Sequence, residues 1–256
     1  MPIKLEPFEH GYVCQGAAWS VTDKDLLADR VAKVALGQAR HVRRILTGAN
    51  VGPPTTSTSV KTGAIALITV NGSDPYHRDG WMFQVMSWLA AIQANPTGLI
   101  RAPHMIHAHK GFDGLQIEID NSSGGVAAAI IFEDKATDNP RTTIRDEVWP
   151  EFLKLESGKY ENVLVAEVTS ILETQTLIDP DNAIQNIIWR EVRRYRISIT
   201  VGDMHSCENG RPRLFKHYEL KVAGHVNRRR AEIFHVQNLR NWMEDLAARA
   251  IKIINS

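Results

Sequence analysis

KGFDGLQIEIDNSSGGVAAAIIFEDKATDNPR, residues 110 to 141, is the stretch that decides the fold. Within it, Val126-Ala127-Ala128-Ala129-Ile130-Ile131-Phe132 has the length and composition of a buried strand. Glu133, Asp134 and Lys135 follow directly, which places three ionisable groups at a sheet edge or in a cleft. Successive strand side chains point to opposite faces, so Glu133 and Lys135 share one face while Asp134 joins Phe132 on the other. Upstream, Asp113 stands alone before a second short apolar run, and Asn121-Ser122-Ser123-Gly124-Gly125 reads as a hairpin turn. Two antiparallel strands joined by that turn bring Asp113 and Glu133 together.

Two carboxylates with water in the remaining positions suit Mg²⁺, with Mn²⁺ as a substitute. Such an ion polarises a phosphoryl oxygen and activates water, and a lysine on the Glu133 face is placed to stabilise charge developing on phosphate. The bland reading of the same residues is a solvated ion pair at a strand end, which contributes little.

The rest of the chain limits the options. Its 256 residues, 43% hydrophobic and 23% charged, are enough for one large domain or two small ones. A net charge of +1 neither demands nor excludes a polyanionic partner. Cys14 and Cys207 lie far apart and make no metal-ligand spacing, so a reduced, cytoplasmic setting is expected. No segment has the roughly 20 apolar residues of a membrane span.

In chain order, residues up to about Ser20 read as an irregular or short-strand entry, and residues 22–48 as one helix capped by Thr22 or Asp23. The basic end of that helix, Arg40 to Arg44, is most simply a solvated, dipole-matched terminus, with phosphate contact as the lesser reading. Gly48 to Thr62 is a loop or linker, dividing an N-terminal helical portion and linker (1–62) from the main domain (63–256). AIALITV, residues 64–70, fits either a short strand or a buried helix. Trp81 to Ala94 reads as a central helix buried on more than one side. His104, His107 and His109 invite a zinc reading, but without a cysteine beside them a structural role is preferred. After Asn139-Pro140, a helix broken or kinked by Pro150 is expected, with Arg141 and Arg145 at its start, where cations are disfavoured unless an anion lies outside. Residues 197–202 form a further core strand, Arg228-Arg229-Arg230 open another, and residues 239–254 form an amphipathic closing helix.

The order of a helix at 80–94, Gly111-Phe112-Asp113-Gly114, a turn, an apolar strand closing in Glu133-Asp134-Lys135, and a following helix resembles the PD-(D/E)xK nuclease superfamily over residues 80–202. That resemblance implies an α/β, restriction-endonuclease-like αβββαβ core: a mixed sheet flanked by helices, with the N-terminal helical portion and C-terminal helix added to it. It implies Asp113 and Glu133 as metal ligands, Lys135 as the catalytic lysine and Asp134 as donor of a backbone carbonyl to the metal. Phe112 stands where the pattern has proline, and Gln84 where some members carry a further acid, so one and two metal ions both stay open. The FDG and EDK pairing followed by NPRTTIRDEVW is similar to nuclease subunits of bacterial antiphage defence systems such as Hachiman, which work with a helicase. DNA is then the expected substrate and a helicase or ATPase the expected partner. Arg145, Arg228, Arg229 and Arg230 are the candidate nucleic-acid contacts, with Arg193, Arg194 and Arg196 as further basic residues. The rival expectation is a catalytically silent interaction subunit that docks such a partner; an RNA-cleaving enzyme would share the nuclease mechanism.

Overall fold

The computed structural model describes residues 1–106, 111–120, 125–173, 175, 181, 184 and 192–256. The expected turn at Asn121–Gly124, together with His107, His109 and Lys110, lies outside the described residues. The chain is α/β: a seven-stranded mixed sheet in the order β1-β2-β7-β6-β5-β4-β3 carries helices on both faces. Its strands are β1 (Ile3–His10), β2 (Cys14–Val21), β3 (Leu99–Ile100), β4 (Gly114–Ile119), β5 (Val126–Lys135), β6 (Arg193–Val201) and β7 (Arg229–His235). β3, β4 and β5 pair antiparallel; β5, β6, β7 and β2 run parallel; and β1 closes the edge as an antiparallel hairpin with β2.

Strand β5 shows why the sheet is covered twice. Ala128, Ile130 and Phe132 belong to one apolar core, and Ala129 and Ile131 to the other. A strand buried on both faces loses the polar alternation of a one-sided strand, which is why it reads as a continuous apolar run. The first core is completed by α1 (Lys24–Ala35), α2 (Ala39–Leu46), α3 (Thr58–Leu67), α4 (Tyr76–Ala94) and the closing helix α8 (Leu239–Asn255). The second is built on α5 (Pro140–Thr143), a π-helical turn (Ile144–Val148), α6 (Trp149–Glu156) and α7 (Glu161–Leu172), with short helical turns at Arg211–Leu214 and Tyr218–Lys221. Helix α4 has buried residues around its whole circumference, from Trp81 and Met82 through Ser87 to Ile92. It packs against β5 on one side and against α1, α2 and α8 on others.

Several local expectations change. The N-terminal portion takes the strand form of the two left open, opening with the β1–β2 hairpin, and joins the main sheet through β2 and β7. The helix expected over 22–48 is two, because Gly37 takes φ +75 after Ala35; the first is capped by Asp23, whose carboxylate accepts from Leu26 N at 2.8 Å. The open segment at 64–70 contributes its first four residues to the end of α3. Pro150 does not split its helix: the chain widens into the π turn just ahead of it, where Trp149 N donates to Ile144 O, five residues back. β6 begins at Arg193, so the basic run before residue 197 is strand. Among the described residues, no helix is long and apolar enough to cross a membrane.

Candidate active site

Asp113 is the last residue before β4, and its N–H donates to Phe132 O at 3.1 Å. Gly114 pairs with Phe132 across the antiparallel ladder, so Asp113 comes opposite Glu133 at the carboxyl end of β5. The aromatic ring of Phe132 lies against Gly114; a Cβ there would sit 2.9 Å from a ring carbon. The parallel neighbour β6 extends alongside, with Glu133, Asp134 and Lys135 matched to Ile197, Ser198 and Ile199. Charge therefore enters the strand without interrupting it.

The strand alternation works as expected from sequence. Asp134 turns toward α4, where Ser87 Oγ donates to its Oδ1 at 2.6 Å. Lys135 and Glu133 face the other way, with Lys135 Nζ 3.6 Å from Glu133 Oε2 and 3.5 Å from Glu147 Oε2 of the π turn. Asp113 is held at both oxygens: Gln84 Nε2 donates to Oδ1 at 2.6 Å, and the Asp134 backbone N–H donates to Oδ2 at 2.8 Å. Gln84, Asp113, Asp134, Lys135 and Glu147 line a cleft of about 430 Å³ with Tyr76, His77, Trp81 and His104 on its walls. Glu133 opens instead into an adjoining cavity of about 350 Å³ with Phe112, Glu151 and Tyr160. Phe112 borders both spaces.

Burial makes this cluster electrostatically expensive. Glu133 is 5% exposed and Asp134 7%. Burial, and then the Asp113 charge, push the Glu133 carboxyl up to about 8 against the pull of Lys135. Burial likewise raises Asp134 to about 7, with Arg196 opposing, and raises Asp113 despite Lys135 and its two hydrogen-bond donors. Burial works against the Lys135 ammonium too, but Glu133, Asp113 and Glu147 outweigh it and hold its pKa above the ordinary lysine value. Lys135 thus answers Asp113 and Glu133, Arg196 answers Asp134, and burial tips all three carboxyls toward their protonated forms.

Most of the arginines proposed as DNA contacts have other employment. Arg228 is buried and donates to Glu156, Ala223 O and Arg193 O, and Arg229 is buried and donates to the carbonyls of Tyr12, Val13, Val222 and Gly224. Arg230 pairs with Glu118 at 2.8 Å, as does Arg194 at 2.6 Å. Arg193 and Arg196 are each 2% exposed. These side chains tie strands and loops together, because a buried guanidinium needs acceptors for its five N–H donors. Arg141 is likewise met by carbonyls, those of Leu214 and Lys216, where an outside anion had been expected. Arg145 is exposed on the π turn and pairs with its neighbour Asp146 at 2.6 Å. Gln84 was visible in sequence only as a departure from a pattern; Glu147 was not visible at all, since the π turn changes the phase of the helix that carries it.

The donor set fits a hard divalent cation in charge and chemistry: Asp113 and Glu133 offer carboxylate oxygens, and Mg²⁺ commonly uses one or two carboxylates with water and substrate phosphate. The carboxylate of Asp134 is turned away to Ser87, which leaves its main chain on the Asp113 side. Among the described residues, no group of three or more His, Cys, Asp or Glu side chains is gathered as a ready-made metal cage. No protein-family profile, curated protein or solved structure matches the chain.

Proposed function

We propose that this chain is a metal-dependent endonuclease that hydrolyses DNA phosphodiester bonds in bacterial antiphage defence, built on a restriction-endonuclease-like core. The observation that carries the reading is the register of β4 on β5, which sets Asp113 opposite Glu133 with Lys135 3.6 Å from Glu133 at the mouth of a cleft. The succession of α4, three antiparallel strands, the helices at 140–172 and a strand parallel to β5 supports the same core. Asp113, Glu133 and the main chain of Asp134 would hold Mg²⁺ or Mn²⁺. That cation, when bound, supplies Lewis-acid polarisation of the phosphoryl oxygen and lowers the pKa of a coordinated water.

The chain's own residues do the rest. Gln84 and the Asp134 N–H fix the Asp113 carboxylate so that it does not rotate out of the site. Lys135, kept charged by Glu133 and Glu147, directs an N–H at the attacking water or at a non-bridging phosphate oxygen as negative charge builds there. Burial favours the protonated carboxyls in the free site, so binding of the cation would release protons as the site is readied for phosphate. Arg145, exposed beside Glu147, is the retained candidate for backbone contact; a helicase or ATPase partner would supply strand separation.

The test is conversion of supercoiled plasmid to nicked and linear forms, with Mg²⁺ or EDTA, by the wild type and by Glu133→Ala and Lys135→Ala. Cleavage that needs metal and both side chains is the expected result. Cleavage that survives either substitution, or no cleavage with the helicase partner present while both variants still protect cells, overturns catalysis and favours the silent docking subunit.

A further inference from the structure

A second polar site lies where α2 meets the start of α3. Arg40, His41 and Arg44 of α2 line a cavity of about 860 Å³ with Thr56, Ser57 and Val60 from the entry to α3, and no carboxylate lines it. The volume is within the range of about 300–1,000 Å³ usual for small-molecule sites. Arg40 and Arg44 are four residues apart and so share one face of the helix. Both are exposed, and among the described residues neither side chain has an ion pair or hydrogen bond. Their neighbours are occupied: Arg43 donates to Gly98 O at 2.8 Å, while Asp29 takes both Arg30 and Lys33.

His41 is the second, independent sign. It is 7% exposed, borders the cavity and has no hydrogen-bond partner among the described residues. Its ring nitrogens are not sealed away from solvent, so they open to the cavity and are within reach of a ligand acceptor. Opposite it, Ser57 caps α3 by accepting from Val60 N at 3.4 Å, so the positive end of that helix borders the same space. Gln38 Nε2 bonds Thr56 Oγ1 at 3.0 Å and ties the loop to α2 across the cavity wall.

We propose that this cavity binds a phosphate group, with Arg40 and Arg44 as its counter-charges, His41 as a donor from the cavity wall and the start of α3 as a dipolar end-wall. The phosphate belongs either to a free nucleotide or to a polynucleotide backbone. None of the residues is shared with the cleft at Asp113, so the site does not depend on the nuclease reading. Burial, together with Lys33 and Arg30 of α1 and Arg44, holds the imidazole pKa below its ordinary value against Asp29. A bound anion raises it.

The experiment is a titration of the full chain, followed by amide and imidazole NMR shifts, with inorganic phosphate, adenosine monophosphate and a short oligodeoxynucleotide. Expected are shifts confined to residues 38–44 and 55–60, a rise in the His41 pKa, and a loss of affinity of roughly a hundredfold in Arg40→Ala/Arg44→Ala, about tenfold per charged hydrogen-bonding group. His41→Gln, which keeps a donor, retains binding but loses its pH dependence. Mononucleotide binding as tight as that of the oligonucleotide assigns the free ligand; tighter oligonucleotide binding with a steep salt dependence assigns the backbone. Absence of shifts in these segments with all three probes, or equal affinity in the folded double variant, overturns the site. Binding is read without cleavage, so it stands or falls separately from the plasmid assay.

Discussion

The carboxyl end of β5 and the interior of the adjoining strands β6 and β7 both bury carboxylates beside cations, with opposite results. In the interior, Arg196 meets Glu232 twice, at 2.8 and 2.7 Å, stacks over Phe132, and shares Glu232 with Trp19 Nε1. Glu118 serves both Arg194 and Arg230, and Glu156 takes Arg228 and the Tyr195 hydroxyl. Each charge there is answered. At the end of β5, three buried carboxyls have raised pKa values, Asp113 pushing up both Glu133 and Asp134 while Lys135 pulls against Asp113 and Glu133 and Arg196 against Asp134. Matched charge holds strands together, whereas carboxyls crowded at a cleft with raised pKa values mark a place that something else completes.

The contrast can be broken first on the matched side. Arg196→Met should leave Glu232 buried without its cationic partner, at a cost of about 3–5 kcal/mol in urea unfolding, most of it recovered by adding Glu232→Gln. On the unmatched side, Lys135→Ala should lower single-turnover cleavage by about 10²–10³-fold while leaving the unfolding midpoint nearly unchanged. Both variants remove a cation from a buried carboxylate, so only the difference in charge balance predicts opposite readouts.

Glu133→Gln sharpens the comparison through pH. The folded pKa of Glu133, about 8, lies above the ordinary carboxylate value of 4.5, so between these the native state keeps a proton that the unfolded chain has lost. Wild-type stability should therefore fall as pH rises through that window, by an amount on the order of 1–3 kcal/mol, and Mg²⁺ should oppose the fall. In the glutamine variant the slope and the Mg²⁺ effect should both shrink, and the apo-protein should be more stable than wild type at pH 8; a scanning melt across the window checks this. The smallest effect is expected at Arg145→Ala: stability within about 0.5 kcal/mol of wild type, with a shallower dependence of DNA affinity on salt.

The strands of the site were legible because their signals are local. The apolar run of β5, its alternation, and the spacing from Asp113 to Glu133 all sit in one short stretch, and the register follows from them. What could not be read depends on distance or on phase. Arg229 looks like a basic surface residue until Val13, 216 positions away, presents its carbonyl. The same holds for Arg228 and Glu156, 72 apart. Glu147 was hidden by the π turn, whose extra residue rotates it onto Lys135 in a way that helical periodicity does not foresee. Residues 64–67 resemble strand in composition, but Ser57 caps the run ten residues long that contains them as helix.

The parallel seam between β2 and β7 bears on how the molecule is made. β2 is finished within the first 21 residues, yet the strand that receives it is not complete until His235. At about 5–20 residues per second, the hairpin waits on the order of ten seconds or longer on the ribosome for its neighbour. Through that interval β2 shows an open edge, and β6 lacks one side of its ladder. The parallel centre of the sheet is therefore completed only when β7 arrives to join β2 and β6.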